Sequence, residues 1–217
     1  MNGPAITSGM HEDLLLLIIS SPSGAGKTTL TRDLLSRFPE LTFSISHTTR
    51  KPRPAEVDGH DYHFISRDEF MQRVTENAFV EWAEVHGNLY GTALAELDRC
   101  RREGRRGIVF DIDYQGARQI KARREDVISV FVLPPTMEEL KERLRRRASD
   151  DEATIERRYR NAQQEIAHYG LFDYVIVNED LDDAKARLRA IVLAEQSRRR
   201  RMAGIAETML RRIRSGA

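Results

Sequence analysis

A glycine-containing loop between an apolar run and a helix-like segment is the feature that most constrains this chain. The loop follows the apolar residues 14–19 and precedes a segment with helical spacing that begins at Leu30. It reads Ser21-Pro22-Ser23-Gly24-Ala25-Gly26-Lys27-Thr28-Thr29. A strand, a glycine loop and a helix in this order are the context of a phosphate-binding P-loop. The sequence therefore predicts a P-loop, around which the rest of the fold is organised.

The residue types in this loop suit the binding of phosphate groups. Gly24 and Gly26 can adopt backbone angles that turn successive N–H groups inward, and the start of the helix adds its unpaired N–H groups. Lys27 would reach the β- and γ-phosphates, and the Thr28 hydroxyl would bind the Mg²⁺ that bridges them. The loop opens with Ser21 where the usual pattern has glycine. The alternative is a glycine-rich turn that happens to contain lysine, and the flanking strand and helix argue against it.

The composition excludes several classes of protein. The chain of 217 residues is long enough for one sizeable core, and 40% hydrophobic with 32% charged residues is typical of a soluble globular protein. Cys100 is the only cysteine, so an intrachain disulfide is impossible and a reducing, cytoplasmic location is expected. The longest apolar run, residues 14–19, is too short to cross a bilayer. We therefore expect no export segment and no membrane partner.

The charge is distributed unevenly along the chain. Residues 198–217 contain seven arginines and one acidic residue, Glu207, which gives a local charge of +6. Because the whole chain has a net charge of +1, the residues before 198 have a net charge of −5. A solvated helix is the simplest interpretation of this tail, and a homo-oligomer contact or a polyanion-binding segment is the alternative. The acidic body argues against nucleic acid as the main partner.

Apolar runs alternate with helix-like segments through most of the chain. Predicted strands cover residues 14–20, 41–46, 107–113, 127–133 and 172–177. Predicted helices follow the P-loop and cover residues 136–147, with Thr136 as the N-cap, residues 150–169, and one long segment after residue 180. Strands that alternate with helices favour a parallel sheet covered by helices on both faces. The expected fold class is therefore α/β, with a P-loop core.

Residues 46–95 interrupt this alternation. The segment 46–54 is polar and contains Pro52 and Pro54, and turn signals follow at Asp58-Gly59 and Gly87-Asn88. Short alternating runs such as residues 79–85 predict strands. We therefore expect a small mixed-strand insert, residues 46–95, between two parts of the core, residues 14–45 and 96–197. Residues 198–217 would form a basic helical tail.

Several motifs, in order and at matching intervals, resemble those of guanylate kinases. They are the P-loop, Ser44-Ile45-Ser46-His47-Thr48-Thr49-Arg50-Lys51-Pro52-Arg53, residues 59–62, Phe79-Val80-Glu81-Trp82, Tyr90-Gly91-Thr92, Asp111-Ile112-Asp113-Tyr114-Gln115-Gly116 and Val175-Ile176-Val177-Asn178. The match covers about residues 14–197. The resemblance implies transfer of phosphate from ATP to GMP, giving ADP and GDP, with Mg²⁺ as cofactor. It also implies a GMP-binding insert and a helical lid over ATP.

Two groups of residues would bind GMP. Fork-shaped cations and hydroxyls suit a phosphate, and the resemblance gives this role to Arg50, Arg53, Tyr62 and Tyr90. A solvated basic loop beside two core tyrosines is the alternative on residue types alone.

Glu81 would recognise the guanine base. One carboxylate can accept both N–H donors on an edge of guanine, and a charge between apolar strand residues is costly without such a partner. The alternative is an edge-strand carboxylate that faces water. By resemblance, Ser46 and Thr92 would also bond to the base, and Asp113 would lie at its edge.

The resemblance assigns three arginines and one asparagine to the ATP side. Arg143, Arg147 and Arg158 would lie in a mobile lid of about residues 141–160 and stabilise charge on the transferred phosphoryl group. Asn178 would lie near the adenine, and the P-loop residues Ser21 to Thr29 would bind the phosphates. A solvated, arginine-rich helix pair is the alternative for the lid arginines.

Two carboxylates, Asp111 and Asp113, end a predicted strand, where ligands bind in open α/β sheets. Either could hold Mg²⁺ through water, and helix capping by one of them is an alternative. Asp111 is our candidate for the metal.

Three functions compete for this sequence. The first is an active GMP kinase, in which positioning and electrostatics supply most of the catalysis. The second is a peptide-binding module of the guanylate-kinase-like type found in scaffold proteins. Such a module has no need for Lys27, Thr28 and the three lid arginines together, so their presence favours the enzyme. The third is nucleic-acid binding through the tail.

Overall fold

The computed structural model describes residues 14–85, 87–146 and 151–215. In chain order the strands are β1 (Leu15–Ser20), β2 (Leu41–Phe43), β3 (His47–Thr48), β4 (His63–Phe64), β5 (Phe79–Val85), β6 (Asn88–Ala93), β7 (Gly107–Asp111), β8 (Ile128–Leu133) and β9 (Tyr174–Val177). The helices are α1 (Lys27–Arg37), α2 (Arg67–Thr75), α3 (Ala95–Arg102), α4 (Tyr114–Arg123), α5 (Met137–Arg146), α6 (Glu152–Ile166), α7 (Leu181–Gln196) and α8 (Arg199–Arg214). A short 3₁₀ helix, Tyr169–Leu171, follows α6. Together these elements form a mixed α/β fold.

The larger sheet has five parallel strands in the order β2-β7-β1-β8-β9. Its central strand, β1, is buried at every position, as expected for a parallel strand that is covered on both faces. Gly107 begins β7 where the backbones come close: a Cβ at this position would lie 2.7 Å from Leu15 and from Leu41. The predicted parallel sheet is confirmed.

Successive residues of β1 point to opposite faces of the sheet. Leu15, Leu17 and Ile19 pack in one hydrophobic cluster with α1 and α7. Leu16 and Ile18 pack in a second cluster with α3 and α4. The period of two along a strand thus places helices on both sides of the sheet, as predicted.

The smaller sheet has four strands in the order β4-β3-β6-β5, and it is mixed. β3 pairs parallel to β4 and antiparallel to β6, and β5 pairs antiparallel to β6. Its own small core contains Phe70 of α2, which stacks on Phe79 at 4.5 Å between ring centroids. All four strands fall within residues 46–95, where the sequence predicted mixed strands.

Several predicted elements differ from the structure at their ends: the predicted strand 107–113 ends at Asp111, and the predicted helix 150–169 ends at Ile166. The segment after residue 180 forms two helices, because the backbone leaves the helical region at Arg198 with ψ at 139°. The strand predicted over residues 41–46 ends at Phe43. Thr136 caps α5 as predicted, and its Oγ1 accepts the Glu139 N–H at 3.1 Å. Among the described helices, none is long and apolar enough to cross a membrane.

A buried carboxylate ties the chain together where it leaves the larger sheet for the smaller one. Glu96 of α3 accepts the Ile45 N–H at 2.7 Å and pairs with Arg99 at 2.8 Å. Arg99 also donates to the Phe43 carbonyl at 2.7 Å. Because Glu96 is only 6% exposed, its loss would leave buried polar groups without partners.

We predict that Glu96→Ala lowers the free energy of unfolding by about 1–3 kcal/mol, since the Ile45 N–H and Arg99 each lose a buried acceptor. Urea unfolding followed by circular dichroism measures the change. Glu103→Ala is the matched control, because Glu103 pairs with the same Arg99 at the surface. The account is wrong if both variants lose the same small amount of stability.

Candidate active site

An open cleft of about 350 Å³ lies between the two sheets, at the carboxyl ends of β1 and β7. The P-loop and residues 111–113 form one wall. The other wall carries polar side chains of the smaller sheet and its loops: Ser46, Tyr62, Glu81 and Tyr90. Glu165 of α6 also faces the cleft. The structure therefore brings together most of the predicted phosphate-binding and base-binding residues.

The P-loop has the backbone geometry that its glycines predict. Gly24 and Gly26 have φ values of +96° and +102°, in the region that favours glycine. α1 begins at Lys27, and its N-cap residue Gly26 makes no side-chain cap hydrogen bond to its first turn. Ser21 has no such φ, which explains why serine is tolerated at the position that is usually glycine.

Lys27 contacts the Asp111 carboxylate directly. The strand register explains the contact, because Ile19 of β1 pairs with Asp111 of β7, and the P-loop begins two residues after Ile19. Both side chains are about one-fifth exposed, and Thr28 lines the same cleft. A cation and two oxygen ligands suited to Mg²⁺ thus lie at one edge of the sheet.

Asp113 caps helix α4. Its Oδ1 accepts the N–H groups of Gln115 and Gly116, each at 3.0 Å, and its Oδ2 accepts the Gln115 side-chain amide at 3.0 Å. The alternative of helix capping, which the sequence left open for either aspartate, is therefore realised at Asp113. The carboxylate still borders the cleft.

Glu81 is the most deeply buried carboxylate of the cleft, with 4% of the residue exposed. Its Oε1 accepts the Thr92 N–H at 2.9 Å, because Glu81 and Thr92 are paired across β5 and β6. The Thr92 and Ser46 hydroxyls lie 3.2 Å apart and share a hydrogen bond. The alternative of a water-facing edge-strand carboxylate is therefore incorrect.

Gly116 makes room for the Glu81 carboxylate. A Cβ at this position would lie 2.5 Å from Glu81 Oε2. The first turn of α4 therefore packs directly against the carboxylate, on the same helix that Asp113 caps. In the sequence, Gly116 is only one residue of a motif. Its packing against Glu81 gives a physical reason for glycine at this position.

Burial raises the pKa of Glu81 to about 7. The hydrogen bonds from Thr92 act in the opposite direction, and the neighbouring charge of Asp113 adds to the increase. A carboxylate in this environment lacks an adequate partner for its charge. It is therefore suited to a ligand that donates hydrogen bonds to it.

The predicted phosphate-binding residues are only partly gathered at the cleft. Arg50 lies over the Tyr62 ring, 5.4 Å from its centroid, and pairs with Glu56 at 2.8 Å. Glu56, followed by Tyr90, raises the pKa of Arg50. The Tyr62 and Tyr90 rings lie 6.0 Å apart. The Arg53 side chain is 67% exposed and lies 3.8 Å from Glu56, so it is outside the cleft lining.

The three arginines that the sequence predicts for a lid have different positions. Arg143 donates to Glu139 at 2.9 Å and to the Asn178 carbonyl at 3.1 Å. Arg158 lies on α6 and is not free of interactions with its surroundings. Arg147 lies outside the described residues.

Asn178 is a buried residue that contacts the P-loop at Ala25 and Gly26. Its side-chain amide donates to the Ala25 carbonyl at 2.7 Å and fills the space that a Cβ on Gly26 would need. This contact fixes the loop backbone. A contact with adenine stays a prediction.

Two residues of this region were missed by the sequence analysis. Glu56 holds Arg50 and also accepts the Arg53 N–H at 2.8 Å. Glu165 reaches the cleft from α6, and burial raises its pKa to about 7, although the charge of Lys27 opposes this. Both are acidic residues in charged segments, so no pattern in the sequence separates them from solvated neighbours.

The chain is similar to known proteins over most of its length. A family model described as guanylate kinase matches residues 14–195. The chain is 50% identical over 192 residues to a guanylate kinase from Mesorhizobium japonicum, with 88% of each chain covered. It is 49% identical over 189 residues to one from Geobacter metallireducens, with 87% of this chain and 93% of the relative covered. A crystal structure of guanylate kinase from Anaplasma phagocytophilum superposes with a TM-score of 0.72 and 35% identity, and covers 92% of this chain and 95% of that one.

The raised pKa of Glu81 predicts a pH-dependent effect on stability. Between its usual pKa of 4.5 and about 7, the folded chain keeps a proton that the unfolded chain releases, so stability falls as pH rises through this range. Above pH 7 the fold contains a buried charge, which Glu81→Gln removes. We expect this variant to gain about 1–3 kcal/mol relative to wild type between pH 5 and pH 8.

Urea unfolding at the two pH values measures this gain. Glu84→Gln, on the same strand with an exposed side chain, is the matched control and should show no such trend. A stability difference between Glu81→Gln and wild type that stays constant with pH would contradict the assignment.

Proposed function

The chain belongs to the guanylate kinase family, and on that premise we propose that ATP and GMP meet in the cleft described above. Family membership makes it an ATP:GMP phosphotransferase that forms ADP and GDP. One observation carries the placement of the substrates: the P-loop and the buried Glu81 carboxylate face each other across a single cleft. Phosphates would occupy the first wall and guanine the second.

The P-loop would bind the phosphates of ATP. Backbone N–H groups of the P-loop, in which Pro22 has none, and the start of α1 would offer donors and a positive dipole to the β- and γ-phosphates. Lys27 would exchange its contact with Asp111 for these more highly charged oxygens. Because phosphoryl transfer spreads negative charge over the γ-phosphoryl oxygens, this lysine stabilises the transition state without acting as an acid or base.

Mg²⁺ fits the groups that border this part of the cleft. The Thr28 hydroxyl would be a direct ligand, and the Asp111 carboxylate would hold the ion directly or through water, since oxygen donors are those that Mg²⁺ prefers. When bound, Mg²⁺ neutralises charge on the β- and γ-phosphates. The contact between Lys27 and Asp111 supports this arrangement, because it keeps both charges at the phosphate position before ATP arrives.

GMP would bind on the opposite wall. The Glu81 carboxylate would accept the two N–H donors on one edge of guanine, while Ser46 and Thr92 would bond to the base and Asp113 would lie at its edge. Tyr62, Tyr90 and Arg50 would hold the phosphate, with Arg53 moving in from its exposed position. The existing support of Arg50 by Glu56 and Tyr62 favours this proposal, because it fixes the guanidinium beside the cleft.

The lid would close over ATP and bring Arg143, Arg147 and Arg158 to the transferred phosphoryl group. In this division of the chain, residues 14–45 and 96–197 form the nucleotide-binding core, with the lid at about 141–160. Residues 46–95 form the GMP-binding insert, and 198–217 the tail. Adenine would lie near Asn178. We place the enzyme in the cytoplasm, where the buried thiol of Cys100 would stay reduced.

We predict that Lys27→Ala lowers turnover of ATP and GMP by about 10²–10³-fold or more, because the charge is lost where the transition state is most anionic. A coupled ADP-release assay measures the loss. Lys185→Ala removes a lysine of α7 that is about as exposed as Lys27 but lies outside the cleft lining, and it should leave turnover unchanged. Near-normal turnover of Lys27→Ala at unchanged thermal stability would refute the proposed phosphate site.

A second prediction concerns the choice of base. Adenine lacks the 2-amino donor and would present an acceptor nitrogen to Glu81, so AMP should be poorer than GMP by at least about ten- to a hundredfold in kcat/KM. Glu81→Gln keeps the shape of the side chain but replaces one acceptor with a donor. It should therefore weaken the use of GMP much more than the use of ATP.

The measurement is kcat/KM for GMP and for AMP in wild type, Glu81→Gln and the surface control Glu84→Gln. An unchanged ratio of GMP to AMP in Glu81→Gln would show that this carboxylate does not recognise the base.

A further inference from the structure

Helix α8 is the part of the described chain that the proposed function leaves unused. It comprises sixteen residues, and none of them is buried. The family model ends at residue 195, so α8 lies outside the region that this model matches. Near its start, Arg200 donates to the Asp126 carbonyl at 3.4 Å, but the second half of the helix, from residue 209 onward, is exposed throughout.

The helix exposes a continuous apolar stripe. Five large side chains on it are between 37% and 73% exposed: Met202, Ile205, Met209, Leu210 and Ile213. At 3.6 residues per turn, they fall within an arc of roughly 140°, together with Ala206. Such a stripe on a helix normally packs against something, because each exposed side chain forgoes the free energy of burial.

Arginines surround the stripe. The helix contains six arginines and one acidic residue, Glu207, so its net charge is +5. Arg201 and Arg212 lie along one edge of the stripe and Arg214 along the other, at angles set by the helical period. Arg200 and Arg211 lie on the opposite face, and Arg199 alone falls within the apolar arc.

This charge decides between two occupants of the stripe. If two copies of α8 packed stripe against stripe, two helices of charge +5 would lie side by side and repel each other. Arginines lie near both ends of the helix, so the repulsion would arise in a parallel and in an antiparallel pair. An anionic lipid surface instead offers acyl chains to the stripe and phosphates to the flanking arginines. Helices that lie in a membrane interface combine an apolar stripe with a basic polar face, as α8 does.

We propose that α8 binds the surface of membranes that contain anionic lipids, with its axis in the plane of the interface and its apolar stripe among the acyl chains. The sequence predicts no membrane partner because no segment is long enough to span a bilayer, but an interfacial helix does not need to span it. The acidic body, at −5, would be repelled by the same surface. Contact would therefore be confined to α8, with the cleft free to bind nucleotides.

The test is co-sedimentation of the full-length chain with lipid vesicles. We expect binding to vesicles of equimolar phosphatidylcholine and phosphatidylglycerol, little binding to phosphatidylcholine alone, and weaker binding at about 0.15 M salt than at low salt. Leu210→Gln/Ile213→Gln removes apolar surface without changing charge and should reduce partitioning by about tenfold or more. Arg211→Gln/Arg212→Gln should also reduce partitioning, because it removes two positive charges that attract anionic lipids.

Matched controls separate this proposal from general effects of charge. Arg102→Gln/Arg187→Gln removes two exposed arginines from α3 and α7 and should bind vesicles like wild type. Deletion of residues 198–217 should abolish vesicle binding and leave turnover nearly unchanged.

Three results would overturn the proposal. The first is no binding to the anionic vesicles at low salt. The second is binding that depends on the arginines but not on Leu210 and Ile213, which would indicate electrostatic adsorption to the vesicle surface without burial of the apolar stripe. The third is a dimer in sedimentation velocity that dissociates in Leu210→Gln/Ile213→Gln without vesicle binding, which would indicate that a second copy covers the stripe.

Discussion

The parallel pairing of β1 with β7 is the constraint on which the candidate site depends. It sets Ile19 beside Asp111, so the P-loop that follows β1 and the two aspartates at the end of β7 emerge at one edge of the sheet. Gly107 allows this pairing, because any larger residue would collide with Leu15 and Leu41. Lys27 and Asp111 then come into contact without any further adjustment of the chain. The proposed phosphate site would thus be a direct consequence of strand register.

The opposite wall of the cleft depends in the same way on one buried carboxylate, Glu81. Glu81 is held by the Thr92 N–H of the neighbouring strand and lies close to α4, at Gly116. In the absence of a ligand this position is unfavourable to its charge, as the pKa of about 7 indicates. Guanine would supply the missing donors. On the proposed function, the local cost in stability at Glu81 would be the counterpart of a site that discriminates between bases.

Much of this architecture could be predicted from the sequence, for identifiable reasons. The apolar run of β1 and the P-loop glycines each have a strong local signal, and the alternation of strands and helices indicates the parallel sheet. Partnerships between individual polar groups had no such signal. Glu56 with Arg50, Glu96 with Ile45 and Asn178 with Ala25 depend on tertiary packing. The break at Arg198 was missed because it lies in an arginine run with good helix propensity.

The central claim is that ionised Glu81 binds guanine, and proton linkage tests it most directly. Calorimetric titration of GMP into wild type and Glu81→Gln between pH 5 and pH 8 isolates the carboxylate, because titration of the GMP phosphate affects both proteins equally. The account predicts that wild type gains affinity relative to the variant as pH rises, by about tenfold for each unit below the pKa, and that the gain levels off above about pH 7. Parallel pH profiles for the two proteins would contradict it.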